Sequence, residues 1–410
     1  MFELKDLNIS AEDVMEITQT YMMETYERFP FVAVKAKDMY LYDSEGNSYL
    51  DFYGGIAVNN AGSCNDKVVA AVQEQVANLI HTFNYPYTIP QAVLAKLICD
   101  TIGMDKIFFQ NSGTEANEAM IKLARKYGVE HYGPEKYQIV TAKSSFHGRT
   151  YGAMSATGQP DNACQKGFNP MLEGFTYAEF NNLEAFKEAC TENTIAIMVE
   201  PCQGEGGVHP ATQDFLKGLR RFCDQKHILL LLDEIQTGWC RTGKVMDYMN
   251  YDILPDMVTM AKGMGGGMPI GALCCNRMVA EYMTKGSHGS TYAGNPVCCA
   301  ASYAQIKELI QRNLAENAKI MGAYFVGKLV ELPGVKVVRN SGLLVGVELE
   351  QPLALEVKHE CTNRKLLVTA IGNSIIRMVP PLIVSEEECD MAVNILRDSI
   401  INVMESKKGL

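Results

Sequence analysis

Between residues 105 and 275 the chain alternates two patterns. Short, nearly unbroken apolar runs are separated by stretches with helical spacing of apolar positions. The runs are KIFFQ (106–110), QIVTA (138–142), IAIMVE (195–200), ILLLLD (228–233), MVTMA (257–261) and GALCC (271–275). A strand with water on one face alternates apolar and polar residues, whereas a strand covered on both faces need not. These runs therefore predict an α/β arrangement, a mostly parallel sheet with helices on both faces. The flanks read differently. Ser10 and Asp13 have the spacing of a helix start, and an amphipathic run follows to about Met23. Residues 31–53 alternate and turn at Ser44-Glu45-Gly46-Asn47, which predicts a β-hairpin. Residues 66–82 and 90–102 are helix-like. After 297 a long helix to about 330 precedes VKVVRNSGLLVGVEL, which reads as antiparallel strands. Ser385 with Glu388 then opens an amphipathic helix to about Met404. The expected division is an N-terminal segment (1–52), a large α/β domain (53–297) and a C-terminal α+β part (298–410). The hairpin is expected to join the C-terminal part in one smaller domain.

Composition narrows the function classes. A chain of 410 residues can bury a large core, and 47% hydrophobic with 21% charged residues is ordinary for a globular protein. A net charge of -11 argues against a nucleic-acid partner held through phosphates. The 13 cysteines include no CxxC pair and no His/Cys spacing that points to a metal. No apolar run reaches the length of a membrane span, and the N-terminus has no basic start or apolar signal core. No membrane association and a reducing cytoplasm are the expectation.

Two of the apolar runs lead into a carboxylate and an amine, Asp233 and Lys262. Either alone is an ordinary loop residue. Together they match what pyridoxal phosphate needs. An amine forms a Schiff base with its aldehyde, and a carboxylate keeps its pyridine nitrogen protonated so that the ring acts as an electron sink. Other segments bear on this. QNSGTEANE (110–118) follows a strand and opens a helix. Ser112 and Glu115 have capping-box spacing and Gly113 allows close approach, so the helix start can hold a phosphate or be a plain capped terminus. SSFHGRT (144–150) offers an aromatic, an imidazole and Arg149, which can grip a carboxylate or sit in a surface turn. In EPCQGEGG (200–207) Glu200 ends a strand and can pair reversibly with an arginine. KGMGGGMPIG (262–271) gives the backbone room around Lys262 but lacks dinucleotide-site spacing. Thr291 is a hydroxyl in the glycine-bordered HGSTYAGNP. Arg377 interrupts an apolar stretch, either as a carboxylate clamp or as an edge-strand cation.

Taken together and in this order, these motifs resemble the class III (subgroup II) pyridoxal-phosphate aminotransferases of fold type I, from Tyr26 to about Val384. The segments LDFYGGIAVNNAG, NSGTEANEAMIKLAR, SFHGRTYGAMSATG, EPCQGEGGV, LLDEIQTGWCRTG, AKGMGGGMPIGA and HGSTYAGNP carry the match, nearest to the acetylornithine-specific branch. The resemblance implies the following roles. Lys262 is the Schiff-base lysine and proton shuttle. Asp233 pairs with the pyridine nitrogen, Gln236 bonds the ring 3′ oxygen and Phe146 stacks on the ring. Ser112, Gly113 and Thr114 cradle the phosphate, with Thr291 arriving from a second subunit, so that a homodimer shares its active sites. Arg377 binds the α-carboxylate of glutamate or 2-oxoglutarate. Glu200 pairs with Arg377 while the amine donor is bound. Tyr26 and Arg149 grip the donor's α-carboxylate.

The chain departs from the family pattern after GGIAVN. It reads Gly62-Ser63-Cys64-Asn65-Asp66 where two histidines and a proline are usual, and Ala293 stands in place of a glycine. An apolar Ile56, where ornithine enzymes tend to place a tyrosine, suits an acylated donor. Ornithine, succinylornithine and 4-aminobutyrate remain alternative donors. Racemases and aminomutases share the fold, but a Glu200–Arg377 pair suits a dicarboxylate co-substrate.

Overall fold

In the computed structural model, which describes residues 4–160 and 162–408, seven strands form one central sheet. Residues 1–3 and 409–410 of the expected end segments lie outside the described residues. The spatial order is Lys106–Gln110, Gly271–Cys275, Met257–Met260, Leu229–Asp233, Thr194–Val199, Gln138–Ala142, Phe175–Ala178. All neighbours are parallel except Gly271–Cys275, which is antiparallel to both strands beside it. The reason is length. Residues 261–270 are too few for a helical crossover, so the chain doubles back and leaves Lys262 at the strand ends. The six apolar runs are all strands. The seventh, Phe175–Ala178, has no such run: it is four residues at the sheet edge and only Ala178 is buried.

Both faces of the sheet are covered. Leu230 and Leu232 pack into one apolar cluster with Phe215, Leu219 and Phe222 of the helix Gln213–Lys226. Leu229 and Leu231 pack into a second with Met120, Leu123 and Tyr127 of the helix Gly113–Tyr132. Alternate residues of one strand thus serve opposite faces, which is why the run carries no polar residue until Asp233.

The C-terminal part contains an antiparallel sheet ordered Val335–Ser341, Leu344–Leu349, Ile375–Met378, Thr369–Ile371. The N-terminal hairpin strands Ala33–Lys37, Tyr40–Asp43 and Ser48–Asp51 form another sheet, and Leu366–Leu367 adds to it in parallel with Ser48–Asp51. N- and C-terminal segments therefore meet in one sheet. The expected helix at 297–330 is two helices, Pro296–Gln311 and Leu314–Leu329. They break at Asn313, whose φ of 51° is left-handed, a conformation asparagine tolerates better than most residues.

One buried cation ties the C-terminal part to the large sheet. Arg241 is wholly buried and donates to the carbonyls of Leu343 (3.1 Å) and Pro380 (2.6 Å) and to Asn60 Oδ1 (2.7 Å). Burial pulls its pKa down to about 9. Asn60 also donates to the Trp239 carbonyl (2.8 Å). Its amide packs where a Cβ on Gly263 would stand, 2.3 Å away. Only glycine fits after Lys262, so the turn that carries the lysine is packed against the joint between the two parts.

Candidate active site

The C-terminal ends of the parallel strands open on a cavity of ≈ 450 Å³, the usual ligand position in such sheets. Ser112, Gly113, Thr114, Phe146, Arg149, Glu200, Asp233, Gln236 and Lys262 all line it. Segments scattered over 150 residues of sequence converge here because each follows a strand of the same sheet.

Asp233 ends its strand with its side chain buried. Its Oδ2 accepts from Asn117 Nδ2 (2.7 Å) and lies 2.8 Å from His147 Nδ1, while Oδ1 accepts from the Ile235 amide (3.0 Å). A carboxylate only accepts, so the imidazole hydrogen sits on Nδ1. Asn117 is fully buried and saturated: it also donates to the His147 carbonyl and accepts from Thr259 Oγ1, both at 2.7 Å. Three elements thus fix one carboxylate. Neither Asn117 nor Thr259 stands out in the sequence. His147 reads there only as a neighbour of Phe146 and Arg149.

Lys262 directly follows Ala261 at the end of its strand and has φ 45°, a left-handed conformation that costs a non-glycine residue about 1–3 kcal/mol. Burial, aided by the Arg377 charge, pushes its ammonium pKa down against the raising effect of the nearby Glu205 and Asp233 charges. The neutral, nucleophilic amine is correspondingly favoured. Glu200 moves the other way. Burial, then the neighbouring Asp233 charge, raises its carboxyl well above the usual range, and it accepts from the Phe146 amide (3.1 Å).

The expected Glu200–Arg377 pair is not formed. Arg377, buried on the strand Ile375–Met378, binds Glu205 Oε1 through Nη1 at 2.5 Å, and Gln236 Nε2 donates to the same oxygen (3.3 Å). Strand geometry explains the difference. Glu200 directly follows the strand Thr194–Val199 and stays under the Phe146 segment, whereas Glu205 sits five residues on, in the glycine-rich loop that reaches the C-terminal sheet. The signal in the sequence is the carboxylate held between glycines in QGEGG. Burial works to raise the Glu205 pKa, but Arg377 and Lys262, with the two hydrogen bonds, prevail and hold it at about 2.

At the far wall, the helix Gly113–Tyr132 starts at the cavity. Ser112 Oγ caps it by accepting from the Glu115 amide (3.3 Å), and Glu115 in turn accepts from the Asn111 amide (2.7 Å). The first-turn N–H groups of Gly113 and Thr114 have no intrahelical acceptor, which suits an anion. Arg149 stands over the Phe146 ring, 5.6 Å from its centroid.

Two expected residues lie elsewhere in the single chain. Thr291 lines a separate surface cavity with Phe83, Tyr85 and Tyr87. Tyr26 is 76% exposed. Ile56 also lies outside the cavity, in a left-handed stretch. The departures after GGIAVN serve local structure: Asn65 caps the helix Asp66–Asn78, and Asp66 pairs with Lys37 (2.7 Å). The donor set fits pyridoxal phosphate: a helix N-terminus for the phosphate, a fixed buried carboxylate for the ring nitrogen and a buried amine for the aldehyde.

The model of the aminotransferase class-III family matches residues 21–400. The chain is 44% identical to the acetylornithine aminotransferase of Caldanaerobacter subterraneus subsp. tengcongensis, covering 93% of this chain and 98% of that one. It is 43% identical to the acetylornithine aminotransferase of Methanocaldococcus jannaschii, covering 95% and 98%. Among solved structures it is similar to an ornithine aminotransferase of Toxoplasma gondii with partial occupancy of PLP at its active site. That similarity has a TM-score of 0.92 at 30% identity, over 97% of this chain and 96% of that one. The chain has the fold-type-I architecture and belongs to class III of the pyridoxal-phosphate-dependent aminotransferases.

Proposed function

We propose that this aminotransferase moves the ω-amino group of N-acetylornithine to 2-oxoglutarate, in two half-reactions that share one cavity. The observation that carries the donor assignment is the 44% identity, over nearly the whole chain, to a protein named for that substrate. The observation that carries the acceptor is the buried Arg377, paired with a carboxylate that another carboxylate can replace.

When bound, pyridoxal phosphate supplies a carbonyl for the substrate amine and a ring that accepts the electrons released as the adjacent C–H bond breaks. The remaining roles belong to this chain. Lys262 would hold the aldehyde carbon covalently until the substrate amine takes its place there. Its neutral Nζ would then take the proton from the carbon bearing the amine and carry it as an ammonium before giving it up. Asp233 would keep a proton on the ring nitrogen. Ser112, Gly113 and Thr114 would hold the phosphate, Phe146 the ring face and Gln236 the ring oxygen. Arg149 and Tyr26 would take the donor's α-carboxylate. Arg377 would take the α-carboxylate of 2-oxoglutarate or glutamate, with Glu205 covering it while the donor is bound. Glu200, favoured in its neutral form, would be a hydrogen-bonding wall group.

We further propose a homodimer in which Thr291 of one copy reaches the phosphate of the other. Phe83, Tyr85, Tyr87, Ile89 and Tyr292 are exposed in the region of Thr291, an apolar surface of the kind that interfaces cover. The cysteines among the described residues are all unpaired, in keeping with a reducing cytoplasm. No described helix is long and apolar enough to cross a membrane.

The test is spectroscopic. N-acetylornithine should bleach the visible band of the purified holoenzyme, and 2-oxoglutarate should restore it. If glutamate bleaches the band but N-acetylornithine does not, the donor is a different ω-amine, such as ornithine, succinylornithine or 4-aminobutyrate.

A further inference from the structure

The loop that carries Glu205 is held by a second arginine. In the C-terminal sheet, Arg339 stands directly opposite Gly346, and Gly346 directly opposite Arg377. Directly opposed residues of antiparallel strands share a face, so two guanidinium groups flank a position with no side chain. Gly207 and Val208 fill that gap. A Cβ on Gly346 would stand 2.9 Å from Val208 Cβ and 3.1 Å from the Gly207 carbonyl oxygen. On one side of the notch Arg377 binds Glu205 (2.5 Å). On the other, Arg339 Nε donates to the Gly207 carbonyl (3.2 Å). Arg339 is itself anchored: Nη1 binds Glu348 Oε2, and Lys336 binds the other Glu348 oxygen, both at 2.7 Å. Gly207 and Val208 have φ of 110° and 58°, so this loop does not settle into its path by ordinary backbone preference.

We propose that Arg339 is a positioning residue for the Glu205–Arg377 pair, clamping the loop two residues beyond Glu205 and so setting the preference between ω-amine and dicarboxylate substrates. This rests on the reading of Arg377 as the dicarboxylate site. With Gly207 clamped, Glu205 leaves and regains Arg377 by side-chain rotation alone, and its return is fast and well aimed. Without the clamp the loop drifts, Glu205 covers Arg377 less well, and a free dicarboxylate competes more easily. Arg339 does not touch substrate in this scheme. It bonds a neutral carbonyl, and its charge is matched by Glu348.

The experiment compares the parent holoenzyme with Arg339→Gln and Glu348→Gln. Two quantities are read: the affinity for glutarate, an unreactive dicarboxylate, by calorimetry, and the ratio of the ω-amine to the glutamate half-reaction in kcat/KM. Arg339→Gln should bind glutarate about fivefold more tightly and lower the ratio by a similar factor, the worth of one hydrogen bond. Glu348→Gln should move both in the same direction by less. Should Arg339→Gln fail to fold, Arg339→Lys, which keeps the charge but loses the Nε donor geometry, serves in its place. Unchanged affinity and ratio in folded variants would reduce Arg339 to a purely structural role and overturn the proposal. Weaker glutarate binding would overturn it too, because Arg339 would then be attracting the anion directly. Glu205→Gln is the control for the underlying reading. If it leaves glutarate affinity unchanged, the Glu205–Arg377 site itself has been misassigned, whatever Arg339 does.

Discussion

Two carboxylates of this site are held in opposite ways. Asp233 is fixed by Asn117, His147 and the Ile235 amide, drawn from separate elements of the large sheet's surroundings. Glu205 depends on Arg377 across the gap between the large sheet and the C-terminal sheet, with Gln236 in support. Taking a charge pair out of water costs nearly what the attraction returns, so such a pair adds little net stability. The exchange of Glu205 for a substrate carboxylate is therefore close to balanced. On the proposed roles, the group that serves the cofactor in both half-reactions is built to stay, and the one that yields in half of them is built to exchange.

The comparison is tested most severely where both regions depend on one group. Lys262→Ala should abolish turnover with every substrate pair while the cofactor still binds non-covalently. Continued turnover would overturn the assignment of the site. Asp233→Ala should follow, with a loss of at least ~10³-fold in kcat. A near-normal rate would mean that another group serves the ring nitrogen.

The exchanging end should respond differently and with a sign that depends on the substrate. Arg377→Gln should slow the glutamate half-reaction by about 10²-fold, since a carboxylate loses its buried charged partner. Glu205→Gln should do the reverse. It frees Arg377, so the glutamate half-reaction should rise about tenfold, equivalent to ~1.4 kcal/mol, while the ω-amine half-reaction slows. Single-turnover absorbance traces with each substrate separate the two. Equal changes in both half-reactions would break the comparison.

Asn117→Ala sharpens it from the fixed end. Removing one neutral donor from a buried carboxylate costs about 1–3 kcal/mol, so kcat should fall by roughly ten- to a hundredfold. On the proposed role of Asp233, which serves the cofactor in both half-reactions, both should fall by the same factor. A selective loss in one of them would place Asn117 in substrate discrimination instead.

What could be read in the sequence follows the same divide. The unbroken apolar runs announced strands covered on both faces, and the residues ending them, Asp233 and Lys262, lie together at the cavity. Local order in the chain was enough, because each functional group directly follows a strand. The partner of Arg377 is not legible there, because a pair between two sheets has no local spacing. Glu200 and Glu205 both stand in EPCQGEGG, and only the path of the loop separates them. Asn117 was passed over for a related reason. It looks like one polar residue in the first turns of a helix, and its role appears only when that helix is laid beside Asp233 and Thr259. The helix break at Asn313 is not legible because apolar positions keep helical spacing across it, at Ile306, Ile310, Leu314 and Ala318.

The smallest effect concerns a third carboxylate, next to Asp233 in the chain yet outside the chemistry. Glu234 is fully buried and accepts from Thr237 Oγ1 and the amides of Asp247 and Tyr248, each at 2.8 Å. Burial, then the adjacent Asp247 charge, pushes its pKa up to about 8, and burial raises Asp247 as well. The folded protein therefore keeps a proton here that the unfolded chain gives up above about pH 4.3. The folded state binds more protons across that interval, so this pair's stabilisation is complete at low pH and declines as pH rises towards 8. Glu205 has the opposite sign. Its folded pKa of about 2 lies below the unfolded value, so its contribution is lost only on acidification and is constant between pH 6 and 9. Thermal melting of the holoenzyme should accordingly show a higher Tm near pH 6 than near pH 9. Glu234→Gln should remove much of that slope, and Glu205→Gln should leave it in place. A slope that survives Glu234→Gln and vanishes in Glu205→Gln would invert the assignment, making the exchanging carboxylate the one that carries a proton in the folded state.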